Sequence, residues 1–492
     1  VTSLDGVGPV GSKATPRGYY RRQEADPAGI HQAIVPGAWD GWMLWLDRYG
    51  SLDLEEVITP AVEIARNGYS VTPEMASWLG RLSRRIDNRP DATAIYKSEG
   101  ELLEEGDTVY QHDMADTLDS LIDAYKDRRG DGRKEAIQAA RDYYYRGPIA
   151  EKIVDFSDKR DGYLTLSDFR EFEAEIVDPV SIEYGEEHRI YQNPPNSQGI
   201  TMLLILNILD GYDLSDMEPD GADAVHIQTE ATKLAFADRY HHVGDPERVD
   251  VPVKELLDDE YAASQRDRIE MDDVMTWPIE SGLSDASQPG SDADHTTTFH
   301  IVDKEGNAAA VTTSLGAEFL VVGETGIHIN NRMRMISVEE GNPNRLSPGH
   351  KVRHTSNPYM SFQNDRLHIL GGNTGVDSQP QGQSQQFLNV VEFGLSAQEA
   401  VTRPRFISTA FPSGTFPHRA ENTLQMESGF PDELFEELRQ RGHNITVGEG
   451  IFGSANMILF DDSGNDTAEV QTGAEPRVST SEGRLMSSES GD

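Results

Sequence analysis

The sequence predicts an α+β fold, helix-rich in its first part and strand-rich in its second. Three observations lead there. Before about position 280 apolar residues recur at three- and four-residue spacing, whereas after position 295 they fall into short runs of strand character. Between the two lies Ser281 to His295, SGLSDASQPGSDADH, with hardly an apolar side chain and the composition of an exposed flexible linker.

In chain order, Pro36-Gly37 punctuates the backbone. Trp39, Trp42, Met43 and Leu46, then Val57, Ile58, Val62, Ile64 and Ala65, follow at helical spacing, so 36–90 reads as helical. Residues 110–146 and 222–240 repeat the pattern. Ile200 to Leu209 follows an Asn-Pro-Pro-Asn-Ser turn, Asn193 to Ser197, and reads as a buried helix. The stretch Asp155 to Phe169 resembles a calcium loop around Gly162, but Ser157 and Lys159 stand where acidic ligands belong, so a solvated helix connection is expected. After the linker, Thr296 to Val302 and Ala308 to Ser314 flank Asp303-Lys304-Glu305-Gly306-Asn307 and read as a hairpin. Further strands are expected at Gly326 to Asn330, Arg366 to Leu370 and Met457 to Phe460, and a disordered polar tail at the end, STSEGRLMSSESGD.

The chain has 492 residues and is 37% hydrophobic, enough for a large buried core. No apolar run approaches eighteen residues, which excludes a helical membrane span, and no signal peptide shows in the first residues. Compartment therefore stays open. Against 85 Asp and Glu stand 43 Lys and Arg, a net charge of -42 that repels nucleic acid. Only ten of the cations are Lys. This uniform acidity reads as adaptation to high salt, where the Debye length falls to about 3 Å and self-repulsion is screened. The absence of Cys removes disulfides, thiolate metal sites and Cys nucleophiles together.

Several motifs can be set aside. GVGPVG, Gly6 to Gly11, has the spacing of a dinucleotide fingerprint but no preceding strand, and Pro9 sits in its middle. GxSxG, HExxH and Walker A sequences are absent, and His241 and His242 are adjacent, so on a helix they diverge. Neither a metal nor a cofactor is expected.

The junction His295 to Asn307, HTTTFHIVDKEGN, carries the remaining chemistry. A Thr hydroxyl is a weak nucleophile unless a base is held beside it, and in Thr enzymes lacking a His partner the residue's own α-amine serves. An internal Thr gains that amine only if the preceding peptide bond is cut; its ordinary pKa of about 7.7 to 8.0 then suits proton transfer near neutrality. On composition alone, β-propensity is the preferred explanation of three Thr at a strand start.

The segment TTTFHIVDKEGNAA resembles the TTHxxVVDxxGNAV junction of the γ-glutamyltransferase (γ-glutamyltranspeptidase, glutathione hydrolase) family. Similar blocks occur in order: VPGAWDGW from Val35, YYYRGPIAEKIV from Tyr143, PPNSQGITMLLILNILDGYDL from Pro194, EATKLAFADRYHHVGDP from Glu230, GETGIHINNRM from Gly323, LSPGHKVRHTSNPYM from Leu346 and GGNTGVDSQPQ from Gly371. The family's GGNAxDAA-type block has no counterpart, so the chain is expected to be shortened at its start. The resemblance implies the N-terminal nucleophile (Ntn) hydrolase αββα sandwich. It also implies a precursor cut between His295 and Thr296, giving a large-subunit-like region 1–295 and a small-subunit-like region 296–492 that stay associated. Thr296 becomes the nucleophile. Ser314 falls where the family has a second Thr that bonds it, and the backbone N–H groups of Gly375 and Val376 are the oxyanion-hole candidates.

At the substrate-binding positions the pattern changes. The family's Arg for the substrate α-carboxylate falls near Val7, its Ser pair is His354-Thr355, its acidic residue is Met335, its Asn is Gly316, and a nearby Gln is Arg332. Thr297, Arg332, His354 and Thr355 are the substrate-binding candidates. An amine without a carboxylate partner loses about 1.5 to 3 kcal/mol, so an acidic acyl group lacking the amine becomes an alternative donor. The long lid loop of some members is also missing, as in the lidless branch of the family. The expected function is a self-processing Thr amidohydrolase or acyltransferase. Its partners are a γ-glutamyl or related acidic amide and a water or amine acceptor, without nucleic acid or membrane. The alternatives are an Ntn acylase for a glutaryl-like amide and an uncut homologue acting as a binding protein.

Overall fold

The computed structural model describes residues 1–283, 296–316, 319–461 and 469–486. Most of the expected linker, from 284 to 295, and the end of the tail, from 487, lie outside the described residues.

A six-stranded antiparallel sheet organises the molecule. Its order is Glu469–Ala474, Ala455–Asp461, Arg366–Asn373, Tyr359–Gln363, His188–Gln192 and Val180–Tyr184. The last two strands come from the part that the apolar spacing assigned to helices. Their sequence alternates: Ile182 and Tyr184 are buried while Ser181 and Glu183 are exposed, and Gly185 turns the chain at φ +57°.

One face of the sheet is covered by the helices Gly199–Leu209, Ala222–His242, Ser378–Val391 and Ala397–Thr402, which share one apolar core with Ile190, Tyr359, Ile369, Met457 and Leu459. All eleven residues of Gly199–Leu209 are buried, which explains a sequence without a polar stripe: this helix packs against the Ala222–His242 and Ser378–Val391 helices and contributes to that core. On the other face lies the expected hairpin, Thr297–Val302 paired with Ala308–Thr313. It is seated closely. A Cβ at Gly372 would come within 2.3 Å of Thr298 Oγ1, and Asn456 Nδ2 donates to the Thr298 carbonyl at 2.8 Å. Beyond it the helices Ala38–Tyr49, His112–Arg128, Arg133–Tyr145 and Pro148–Asp158 form a second core together with Leu320, Val322, Ile327 and Ile329. The layers thus run helix, sheet, hairpin, helix, the order of an αββα sandwich.

The connection Asp155 to Phe169 is a helix junction as expected: Pro148–Asp158 ends, and Thr165 with Asp168 forms a capping box for Leu166–Glu171. Gly326 to Asn330, expected as a strand, instead makes a single bridge between Val321 and His328. Gly326 turns the backbone in the left-handed region, φ +65°, and the Asn330 side chain bonds both backbone groups of Ile34, so no ladder extends. Among the described residues no helix is long and apolar enough to cross a membrane.

Candidate active site

Thr296 precedes the first hairpin strand and Ser314 follows the second. Because Thr297 pairs with Thr313, the antiparallel register brings the next two residues together, and their hydroxyls lie 3.2 Å apart. Arg332 Nη1 donates to Ser314 Oγ at 3.0 Å, and its Nη2 donates to Asn331 Oδ1 at 2.5 Å. The Arg332 guanidinium is nearly buried. From the other side, Gln379 Nε2 donates to Thr296 Oγ1 at 3.3 Å. The Thr296 hydroxyl is therefore held between a hydroxyl that a buried cation polarises and a carboxamide.

The loop Asn373 to Asp377 links the sheet to the Ser378–Val391 helix. Gly375 has φ +97°, and a Cβ there would meet Ser378 Oγ at 2.5 Å, so glycine is required. Val376 follows at φ +42°, a left-handed conformation costly for a β-branched residue. Among the described residues the N–H groups of Gly375, Val376 and Asp377 have no acceptor, whereas the amides of Thr374 and Ser378 bond Ser454 O and Gly375 O. The strained loop is braced beneath. Gln198 Nε2 donates to Val376 O at 2.9 Å, and the fully buried Arg239 donates to Gln198 Oε1 at 2.7 Å and ion-pairs with Asp377. Removing one partner of such a buried pair costs about 3 to 5 kcal/mol, which holds the loop in one conformation.

A cavity of about 820 Å³ opens beside the hairpin, between it and the first-part helices. Its lining includes the polar Ser314, Arg332, Lys351 and His354 and the apolar Trp39, Trp42, Met114 and Leu118. Burial pushes the His354 imidazole down to about 4; Asp5 opposes the shift, and Arg332 and Lys351 reinforce it. His354 Nδ1 accepts from Ser356 N at 3.2 Å, so a neutral ring offers its other N–H. Lys351 is paired with Asp5 at 2.8 Å.

The residues singled out in the sequence thus fall into two groups. Thr296, Ser314 and Arg332 converge; Ser314, Arg332 and His354 line the cavity, and Thr296, Gly375 and Val376 do not belong to its lining. Thr297 is exposed on its strand, and Thr355 is buried behind His354; neither lines the cavity. His295 lies outside the described residues. Two features escaped the sequence reading. Gln379 carries no motif of its own, and the Arg239–Asp377 pair joins residues 138 positions apart. A third, the cluster of His226, Glu230 and His443, was legible in part as a His and a Glu four apart on a helix. Its atoms are already engaged: His226 bonds His443 at 2.9 Å and Glu270 O at 2.8 Å, and Glu230 pairs with Lys233 at 2.6 Å.

The gamma-glutamyltranspeptidase family model matches residues 1–484. The chain is 31% identical over 485 residues to the glutathione hydrolase-like YwrD proenzyme of Bacillus subtilis (strain 168), covering 97% of this chain and 85% of that protein. It is 30% identical over 457 residues to the glutathione hydrolase proenzyme of Escherichia coli (strain K12), covering 90% of this chain and 73% of that one. The crystal structure of cephalosporin acylase from Bacillus halodurans superposes with a TM-score of 0.82 at 30% identity, covering 97% of this chain and 83% of that chain. The fold expected from the junction motif is thereby borne out, and the chain belongs to the gamma-glutamyltranspeptidase family of self-processing Ntn hydrolases and acyltransferases.

Proposed function

We propose that the chain cuts itself between His295 and Thr296 and that the freed Thr296 hydrolyses or transfers an acidic acyl group, γ-glutamyl or a close analogue, from an amide donor. The single observation that carries this reading is the Thr296 hydroxyl held by Ser314, itself bonded by the buried Arg332 beside the cavity. In the cut, Thr296 Oγ attacks the His295 carbonyl, the C–N bond breaks to leave an ester and an amine, and one water hydrolyses the ester to a carboxylate and the restored hydroxyl. In turnover the amine takes the hydroxyl proton and passes it to the leaving amine. The acyl-enzyme is then released to water or an acceptor amine. The N–H groups of Gly375 and Val376, without an acceptor among the described residues, are the donors to the developing oxyanion.

The two fragments, 1–295 and 296–492, would remain one body after the cut. Strand His188–Gln192 of the first pairs with Tyr359–Gln363 of the second, and both apolar cores draw side chains from each. Separation would break a continuous sheet and expose both cores.

A second reading has its own observation. Arg332 brings a buried cation to the cavity lining, while Met335 and Gly316 stand where the family holds the donor's α-amine. That arrangement suits a glutaryl-like acyl group with a carboxylate and no amine. Initial rates with γ-glutamyl and glutaryl anilides, compared at molar salt, test the choice. Faster γ-glutamyl release supports the first reading, and equal or faster glutaryl release replaces it with the second. An intact, inactive chain would favour a binding role instead.

A further inference from the structure

Gln379 is the second residue of the Ser378–Val391 helix, directly after the Gly375–Val376 loop, and its side chain has no solvent exposure. A buried carboxamide has two ends to satisfy. Its Nε2 donates to Thr296 Oγ1 at 3.3 Å, but its Oε1 has no hydrogen-bond partner among the described residues. An unmet buried acceptor of this kind is costly in a finished protein. The uncut chain, however, is not the finished protein on the reading above. Peptide cleavage turns the single N–H of Thr296 into an amine with two or three donors, on the same residue whose hydroxyl Gln379 already touches.

We infer that Gln379 is a positioning residue for the nucleophile, holding the Thr296 hydroxyl through Nε2 before scission and the released α-amine through Oε1 afterwards. The inference rests on the assignment of Thr296 as nucleophile. Before the cut, the Nε2 contact fixes the hydroxyl rotamer for attack on the preceding carbonyl. After it, the Oε1 contact orients the amine so that its lone pair faces the hydroxyl proton it must take. Charged and titratable groups of the described residues lie near this point. Arg332 reaches Thr296 through Ser314; His300, on the same hairpin, is pushed down to about 4 by burial; and Asp377, two residues before Gln379, is engaged by Arg239.

The test uses the full chain and two substitutions. Gln379→Leu removes both contacts and is expected to slow cutting at least tenfold and, in the cut fraction, to lower kcat by about 10- to 100-fold with KM changed less than about threefold. Gln379→Glu keeps the acceptor and adds negative charge beside an ammonium. It is expected to raise the acidic limb of the kcat/KM profile by about one pH unit relative to wild type. A role in packing alone would lower activity and melting temperature without moving that limb. If both variants are cut at the wild-type rate and their acidic limbs coincide with wild type, the inference is overturned while Thr296 stands as the nucleophile. If wild type itself is uncut and inactive, or its small fragment starts elsewhere than at Thr296, both fall together.

Discussion

Thr296 and Ser314, eighteen positions apart, are brought to a hydroxyl–hydroxyl distance of 3.2 Å by the register of one hairpin. The contact needs no loop to place it. The Asp303 turn sets which residues oppose each other: Asp303 N donates to Asn307 O at 3.0 Å, and its carboxylate accepts from Glu305 N and Asn307 N. A one-residue slip would turn Ser314 away from Thr296.

Replacing Ser314 tests that contact. Ser314→Ala is expected to slow self-cutting and lower kcat by about 10- to 100-fold, the cost of one lost hydrogen bond to a charged or reacting group. Ser314→Thr retains the hydroxyl and should keep activity within a few-fold. Equal loss in both variants, measured by initial rates and by band ratios on denaturing gels, would show that packing matters there and the hydroxyl does not.

Arg332 is expected to act on donor binding as well as on Ser314. Arg332→Ala should lower kcat/KM for an acidic donor at least tenfold, while Arg332→Lys, which cannot reproduce the fork to Ser314 and Asn331, should recover only part of it. With a neutral acyl anilide the Ala penalty should shrink. An equal penalty on acidic and neutral donors would remove Arg332 from substrate recognition.

Acid stability follows from the buried imidazoles. His31, His300, His354 and His368 are pushed down to about 4, and His443 to about 3, in each case chiefly by burial. Their folded values lie below the unfolded value near 6.5. The stability they contribute is therefore full above pH 6.5 and is lost as pH falls toward 4, by as much as about 1.4 kcal/mol per pH unit for each group. The urea midpoint at fixed molar salt should drop steadily from pH 7 to pH 5, and His354→Gln should flatten that slope. A midpoint unchanged over this interval would contradict the assignment.

The net charge of -42 predicts a salt requirement. Melting temperature should rise by ten degrees or more between 0.1 M and 2 M KCl, as self-repulsion is screened. A melting temperature flat or falling over that range would mean that the acidity is not an adaptation to salt.

Local elements were readable where local physics decides them. The hairpin strands begin and end within one residue of the sequence reading because β-branched runs flank a turn of Asp, Gly and Asn, and the helix read at Ile200 to Leu209 followed from its mostly apolar run after the Asn193 to Ser197 turn. Val180–Tyr184 and His188–Gln192 were passed over although they alternate, since helical spacing dominates their surroundings. The candidate site was legible at Thr296, Ser314 and Arg332 through the junction and NNRM motifs, since the structure brings these three together. Gln379 and Arg239 were not, because each acquires its role from a partner distant in sequence, and neither spacing nor composition records a buried carboxamide with one end unmet.

The most direct measurement is the amino-terminal residue of the smaller fragment of purified protein, read by sequential degradation or intact mass. The account predicts a 197-residue fragment beginning at Thr296, by subtraction of 295 from 492, and its loss in Thr296→Ala. A single uncut chain, or a fragment that starts at another residue and persists in Thr296→Ala, would contradict it.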